Sequence, residues 1–445
     1  MAGGTWTTQN KVLPGVYIRF QSSGGLNLTV GERGTVAICE PMSWGPVGQI
    51  MTVEAGADTT PFCGYDITQP QAQFLQQIFL GTNVTNPPTK VLLYRPSATS
   101  SSQATATLSP LTATALYPGA RGNGITVVIT ALTEPESSFS VQTLVDGTVV
   151  DEQTAANVSD LVANDWVTWS GSGALQANSG TPLTGGADGT VETTAYTTFL
   201  TNLEPYQFDV LIYDGSESTV QTAMASFVQR MVEENGQWCQ LVAAGMTSPD
   251  SQYVINLNNG VILSDGTTLT AQQATWWLGG AEAGASYNES LTYAQYPGAV
   301  DVSPKLTKSQ MIEAIQGGQL CLMEEFGSVK VLTDINSLTT YTASTGEVFS
   351  KNRTIRVCAS IANDIYEQFS QTFIGRVNNN TEGRALFKAS IVGYLTELQN
   401  AEAIQNFTAD DVEVLEGNTN DSIVVNVAIQ TVDAVEKIYM TVTVS

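Results

Sequence analysis

The chain has 445 residues, 42% hydrophobic and 13% charged, with a formal net charge of −25 and no histidine. Such a length supports about two to four domains, each able to bury a core. Only 17 basic residues are present, which argues against nucleic-acid binding, and the lack of His removes Ser-His-Asp and Cys-His activation together with the commonest zinc ligand.

Between Pro96 and Pro304 the only basic residues are Arg121 and Arg230, against 20 acidic ones, whereas the flanks hold 15 basic and 22 acidic residues. The middle of the chain is therefore expected to face solvent and the ends to pair their charges. Cys39, Cys63, Cys239, Cys321 and Cys358 are isolated, with no C-x-x-C spacing. They read as reduced, buried thiols of a protein that folds in a reducing cytoplasm. Met1 to Trp6 carries no basic or apolar signal pattern, and no apolar run reaches the ~18 residues of a membrane span.

A polar arm leads into LPGVYIRF, where Val16, Ile18 and Phe20 alternate with Tyr17 and Arg19 as in a short strand. GTVAICEPMSWGPVGQIMTV predicts a strand and a Pro/Gly loop, PQAQFLQQIFLG a short helix closed by Gly81, and KVLLYRP a buried strand stopped by Pro96. From Ser97 to about Gly186, Ser, Thr, Ala and Gly dominate. Short alternating runs and the Asp146-Gly147 turn predict an inserted all-β sandwich ending in the Gly-rich linker GGADGT. The period then changes. FDVLIYDG and WCQLVAAGM read as buried strands, and STVQTAMASFVQRMVEENG and LTAQQATWWLGGAEAGA as helices, the second with Gly and Ala permitting close packing. This order predicts a parallel α/β sheet. LTKSQMIEAIQGG offers a capping box at Thr307 and Gln310. IANDIYEQFSQTFIGR and TEGRALFKASIVGYLTELQNAEAI read as helices, followed by strands at DVEVLEG, SIVVNVAIQ and EKIYMTVTVS. In the last of these, Ile438, Met440, Val442 and Val444 share one face, and Tyr439, Thr441 and Thr443 share the other.

Candidate chemistry is sparse. Asp209 and Asp214 flank a strand end, where α/β folds place ligand groups, but a turn-forming Asp before Gly215 accounts for the pattern equally. Gly119 to Gly124, GARGNG, precedes a strand and lacks the phosphate-loop lysine, so glycine-demanding turns are the reading. Asp265-Gly266 lacks the alternating acidic ligands of a Ca²⁺ loop. Glu324-Glu325 and Asp410-Asp411 point in different directions and read as solvated charge. No catalytic residue, cofactor site or metal site is assigned. An α/β enzyme with a β-sandwich accessory domain is the alternative, and it would require a pocket with convergent polar groups near Asp209, Asp214 or Asp265. A third class, an extracellular surface-layer or adhesin protein, fits poorly with the single thiols and the missing signal pattern.

ALYPGARGNGITVVI, NNGVILSDGTTLTAQQATWW, AGASYNESLTYAQYPGAVDV, DINSLTT, KNRTIRVCASIANDI and EKIYMTVTV stand in that order along the chain. Together they resemble the contractile tail sheath subunits of myophages and phage-tail-like bacteriocins, and the similarity runs through nearly the whole chain. The resemblance implies an α/β multidomain protein: an inner α+β domain formed by both chain ends, an inserted all-β sandwich, and a subtilisin-like doubly wound α/β domain without a catalytic triad. The corresponding bounds are an N-terminal arm at 1–22, inner domain at 23–96, sandwich at 97–186, α/β domain at 187–335, inner C-terminal domain at 336–432 and C-terminal arm at 433–445.

By the same resemblance, Val16, Tyr17, Ile18, Arg19 and Phe20 and, at the other end, Ile438, Tyr439, Met440, Thr441, Val442, Thr443 and Val444 would be strands donated to neighbouring subunits by β-augmentation. Seven residues give a strand of roughly 23 Å. Pairing of each end within its own subunit is the other reading. The implied partners are further copies in a helical stack of rings, the tail tube protein, and baseplate and tail terminator proteins, with neither nucleic acid nor membrane insertion. The particle, a virion tail or a bacteriocin, would be assembled in the host cytoplasm and contract once without nucleotide hydrolysis. Gln21 to Gly25 and Thr431 to Val435 are expected hinges. Lys351, Arg353, Arg356, Arg376, Arg384 and Lys388 are the expected tube contacts, with solvated or internally paired charge as the other reading.

Overall fold

The computed structural model describes residues 3–4, 16–17, 31, 33–134 and 137–444. Two compact units divide the chain, Gly31–Asn363 with Val432–Ser445, and Met1–Val30 with Asp364–Thr431.

In the larger unit, a seven-stranded sheet runs in the order Gln319–Leu320, Val254–Leu257, Gln240–Ala244, Val210–Ile212, Thr35–Cys39, Lys90–Tyr94 and Ile50–Glu54. All neighbours are parallel except the last pair, whose edge strand Ile50–Glu54 is antiparallel. The apolar runs that predict buried strands are buried because both sheet faces are covered. Val36, Ile38, Val210 and Ile212 pack against helices Gln73–Ile78 and Ala271–Gly284. The alternate residues Ala37, Cys39 and Leu211 meet helices Thr193–Leu203 and Ser218–Glu233.

Ala271–Gly284 is capped by Thr270 and Gln273, which bond each other's backbone amides at 3.2 and 3.1 Å. Its glycines are there for contact. A Cβ on Gly280 would lie 2.0 Å from the Ile78 carbonyl oxygen, and one on Gly284 2.1 Å from that of Asn86. Trp277 donates to the Gly81 carbonyl at 2.9 Å and stacks on Tyr296 at 4.1 Å, so the helix is fixed in rotation as well as depth.

The strands within 35–94 belong to this sheet, hydrogen-bonded to Val210–Ile212. Adjacency in sequence separated them from the later strands because the sandwich is inserted between. That sandwich has a four-stranded sheet (Thr148–Ala155, Phe139–Val145, Ile125–Ala131, Asn178–Pro182) and a three-stranded one (Val167–Gly171, Leu111–Ala115, Thr105–Leu108). Asp146 and Gly147 both have positive φ, 50° and 82°, as the predicted two-residue turn requires. GGADGT is not a free linker. Thr190–Val191 pairs with Ala98–Thr99, Ala187 bridges Ser102, and Asp188 accepts from the Ala120 amide at 2.7 Å and from Ser43 at 3.1 Å.

The smaller unit contains the end of helix Asn352–Thr372, which begins before the predicted Ile361, and helix Thr381–Asn400, capped by Asn380 on the Gly383 amide at 2.8 Å. Phe369, Phe373 and Phe387 form one aromatic cluster, with centroids 4.2 to 5.1 Å apart. Val412–Glu416 and Ile423–Val427 form an antiparallel hairpin, and Ile404–Gln405 pairs with Gln430–Thr431. Val16–Tyr17 runs parallel to Gly3–Gly4. Ile18, Arg19, Phe20 and the expected hinge at 21–25 lie outside the described residues. At the other end the expected strand 438–444 takes part in no ladder among the described residues.

Candidate assembly surfaces and a buried charge cluster

The segment that leaves the larger unit is exposed on both faces. Ile438 is 79% exposed, Tyr439 92%, Met440 79%, Val442 73% and Val444 90%. An alternating strand usually has at least one covered face, and a run of exposed apolar side chains of this length marks an interaction surface. Just before it, Glu436 is held. Thr292 Oγ1 donates to its Oε1 at 2.8 Å, and Lys351 Nζ donates to its Oε2 at 2.5 Å.

In the smaller unit, the hairpin Val412–Glu416/Ile423–Val427 forms a two-stranded sheet with Leu415, Val424 and Val427 40 to 46% exposed. Among the described residues these two strands pair with no third one, and the edge of a sheet is a template for a further strand. Beside the hairpin residue Ile423, the side chains of Phe373, Ile374, Val377 and Phe387 line a groove of about 200 Å³.

The six expected tube-contact residues differ in exposure and in partners. Arg356 is 1% exposed, pairs with Glu282 and with Asp334 at 2.6 Å, and donates to the Glu289 carbonyl at 2.8 Å. Arg353 is buried. Lys351 is committed to Glu436. The Arg356 guanidinium, enclosed by two carboxyls, has no free face for a tube contact. Arg376 is exposed, Lys388 is half-buried, and Arg384 pairs with Glu416 at 2.8 Å.

Around Arg356 lies a polar knot that spacing alone does not reveal. Asn352 Nδ2 donates to Glu282 at 3.2 Å and to Asp334 at 2.8 Å, and the Leu291 amide donates to Asp334 at 2.9 Å. Burial pushes the Glu282 carboxyl well above the usual range, and the neighbouring Asp334 charge adds to this. Burial also acts against the Asp334 charge, but Arg356 and the Leu291 amide outweigh it and hold its pKa down. The cluster therefore sets one guanidinium against two carboxyls whose pKa values are pushed in opposite directions, Glu282 up and Asp334 down, with the two carboxyls sharing a hydrogen bond. An acidic residue inside the Trp/Gly/Ala run WWLGGAEAGA was the available signal.

The other candidates are structural. Asp209 accepts the Gly34 and Thr35 amides at 2.9 and 3.0 Å. Asp214 accepts Trp276 Nε1 at 2.8 Å, next to Glu40, whose pKa burial and the Asp214 charge raise. Asp265 closes its own turn on the Thr267 amide at 2.8 Å. Glu324 pairs with Lys305 and Glu325 with Lys330, while Asp411 caps Thr408 at 2.7 Å. In GARGNG, Arg121 stacks over Tyr65 at 4.2 Å and donates to the Gly64 carbonyl and Asp146. All five cysteines are free, and burial raises the Cys358 thiol to about 11 and the Cys321 thiol to about 12. Among the described residues, no group of three or more potential metal ligands occurs and no helix is long and apolar enough to cross a membrane.

A doubly covered α/β body, an inserted sandwich and an exposed apolar terminal run define a multidomain α/β protein. Four family descriptions match the chain in sequence: tail sheath protein Gp18 domain III N-terminal region at 33–95, phage tail sheath β-sandwich domain at 99–188, central domain at 189–337 and C-terminal domain at 344–445. The chain is 39% identical to a sheath tail protein of Desulfitobacterium hafniense, with a TM-score of 0.86 over 96% of this chain and 99% of that one. It is also 33% identical to the phage-like element PBSX protein XkdK of Bacillus subtilis over the whole of both chains. The helical sheath of the anti-feeding prophage in its contracted state shares the fold alone, with a TM-score of 0.59 at 13% identity over 97% of this chain and 99% of that one. The chain belongs to the phage tail sheath protein family, which is not an enzyme family.

Proposed function

We propose that this sheath subunit polymerises as a metastable helical sleeve around a tail tube, held together by exchanged terminal strands. A single contraction of that sleeve, without nucleotide hydrolysis, drives the tube through the target cell envelope. One observation carries the reading: residues 438–444 alternate as a strand does and are exposed on both faces. The hairpin edges of the smaller unit offer the backbone groups that such a strand needs, and main-chain bonds with alternating side-chain pockets are the physics of β-augmentation. Val16 to Phe20 would be the second donated strand.

Partners in this reading are further copies of the chain, the tail tube protein, and baseplate and tail terminator proteins, in a particle assembled in the host cytoplasm. Arg376 and Lys388, with Arg384 beside them, remain as tube contacts in an inner C-terminal domain. Many copies make up for the weakness of each exposed pair. A subtilisin-like layout of the α/β domain would carry no chemistry, since the chain has no histidine for a triad. The subunits would move as rigid bodies, because packed cores do not deform smoothly.

Polymers assembled from purified protein should shorten and widen when triggered by mild denaturant or a pH change, with no nucleotide present. Electron microscopy reads the length and diameter directly. A strict requirement for ATP would contradict the stored-energy mechanism.

A further inference from the structure

We propose that Glu436 is the positioning residue of the C-terminal arm, clasped by Lys351, Thr292 and Thr333 so that it sets the register in which residues 438–444 pair. The inference rests on the strand-exchange reading and deepens it. Glu436 has a side chain 17% exposed, between Val435 at 84% and Ile438 at 79%. Thr292 Oγ1 and Lys351 Nζ grip one carboxylate oxygen each, and Thr333 Oγ1 lies 3.4 and 3.5 Å from the two.

These partners come from three segments, 292, 333 and 351, that are tied to one another. Thr292 Oγ1 also accepts the Asp334 amide at 2.9 Å, and Asp334 is part of the buried Arg356 knot. Lys351 bridges Ile335 and immediately precedes Asn352, which bonds both buried carboxyls. The clasp therefore sits on a rigid base.

Why an arm needs such a point follows from its sequence. Thr441 and Thr443 are interchangeable under a two-residue slip, and so are Val442 and Val444, so the strand carries little register information of its own. A one-residue slip would turn every apolar side chain to the opposite face. Glu436 shares the face of Ile438 and Met440, and fixing it fixes the phase of the alternation. With Ile438 two residues on, the first pairing residue lies within about 7 Å of the clasp.

Glu436→Gln, Lys351→Met and the charge swap Lys351→Glu with Glu436→Lys test this, each monomer first being checked by thermal melting. The single variants should melt like the wild type and polymerise only at about tenfold higher concentration, equivalent to ~1.4 kcal/mol per subunit, giving disordered polymers in electron micrographs. The swap should recover order and lower the critical concentration. Single variants that assemble at the wild-type concentration with ordered lattices overturn the clasp, as does a swap no better than either single change. A chain lacking 438–445 that still assembles would instead overturn strand exchange itself, which separates the two failures.

Discussion

A chain ending at Lys437 is expected to stay folded and monomeric at concentrations where the full chain polymerises. Residues 438–444 join no ladder among the described residues and leave Ile438, Met440, Val442 and Val444 73 to 90% exposed, so their loss removes little from the isolated subunit. Its stability should change by no more than about 0.5 kcal/mol, as for other surface changes. Assembly should suffer far more. Burying a large aliphatic side chain is worth about 1.5–3 kcal/mol, and four are removed together with a strand's main-chain bonds. Even after ordering costs, the critical concentration should rise by about a thousandfold or more, about 4 kcal/mol. Sedimentation and negative-stain microscopy measure this. Ordered polymers from the truncated chain would refute strand exchange.

The second large effect lies in the buried cluster. Arg356→Met leaves the Asp334 carboxylate without its counter-charge, and Asp334→Asn leaves Arg356 facing only Glu282, whose charged form burial disfavours. Each should cost about 3–5 kcal/mol, the penalty for an uncompensated buried charge. Glu282→Gln should cost much less, because burial already disfavours the charged form of that carboxyl and the amide keeps its shape.

The pH dependence separates the two acids. A raised native pKa at Glu282 gives a contribution that is full below the unfolded value, ~4.3, and is lost as pH rises through the native value. Glu282→Gln should remove that decline. The lowered Asp334 pKa works the other way, its contribution being present above the unfolded value of ~3.9 and lost as pH falls through the native one. Urea unfolding across pH tests both. If Glu282→Gln proves as costly as Arg356→Met at neutral pH, the opposite directions of the two carboxyls are wrong.

Strands and helices within each segment were legible because their apolar period is local. KVLLYRP and FDVLIYDG are buried runs, and Thr307 with Gln310 is a capping box visible four residues at a time. Which segments share a sheet was not legible. Thr35–Cys39 lies beside Val210–Ile212 across the inserted sandwich, and no local pattern records that pairing. The site had the same limit. Arg356 meets its acidic partners 74 and 22 positions away, and Lys351 meets Glu436 at 85, so cations that look free in sequence are committed by the fold. DINSLTT and KNRTIRVC carry Asp334, Asn352 and Arg356, which meet Glu282 in one buried cluster. The alternation of residues 438–444 was legible, although they pair with no strand among the described residues, whereas the contacts of Glu436 appeared only in three dimensions.

The most direct measurement is a cryo-EM map of polymers grown from the full chain, at a resolution that traces backbone. The account predicts helical tubes in which residues 438–444 of each copy form main-chain hydrogen bonds with a strand of a neighbouring copy. Residues 438–444 paired within their own subunit, or a protein that stays monodisperse at every concentration, would contradict it.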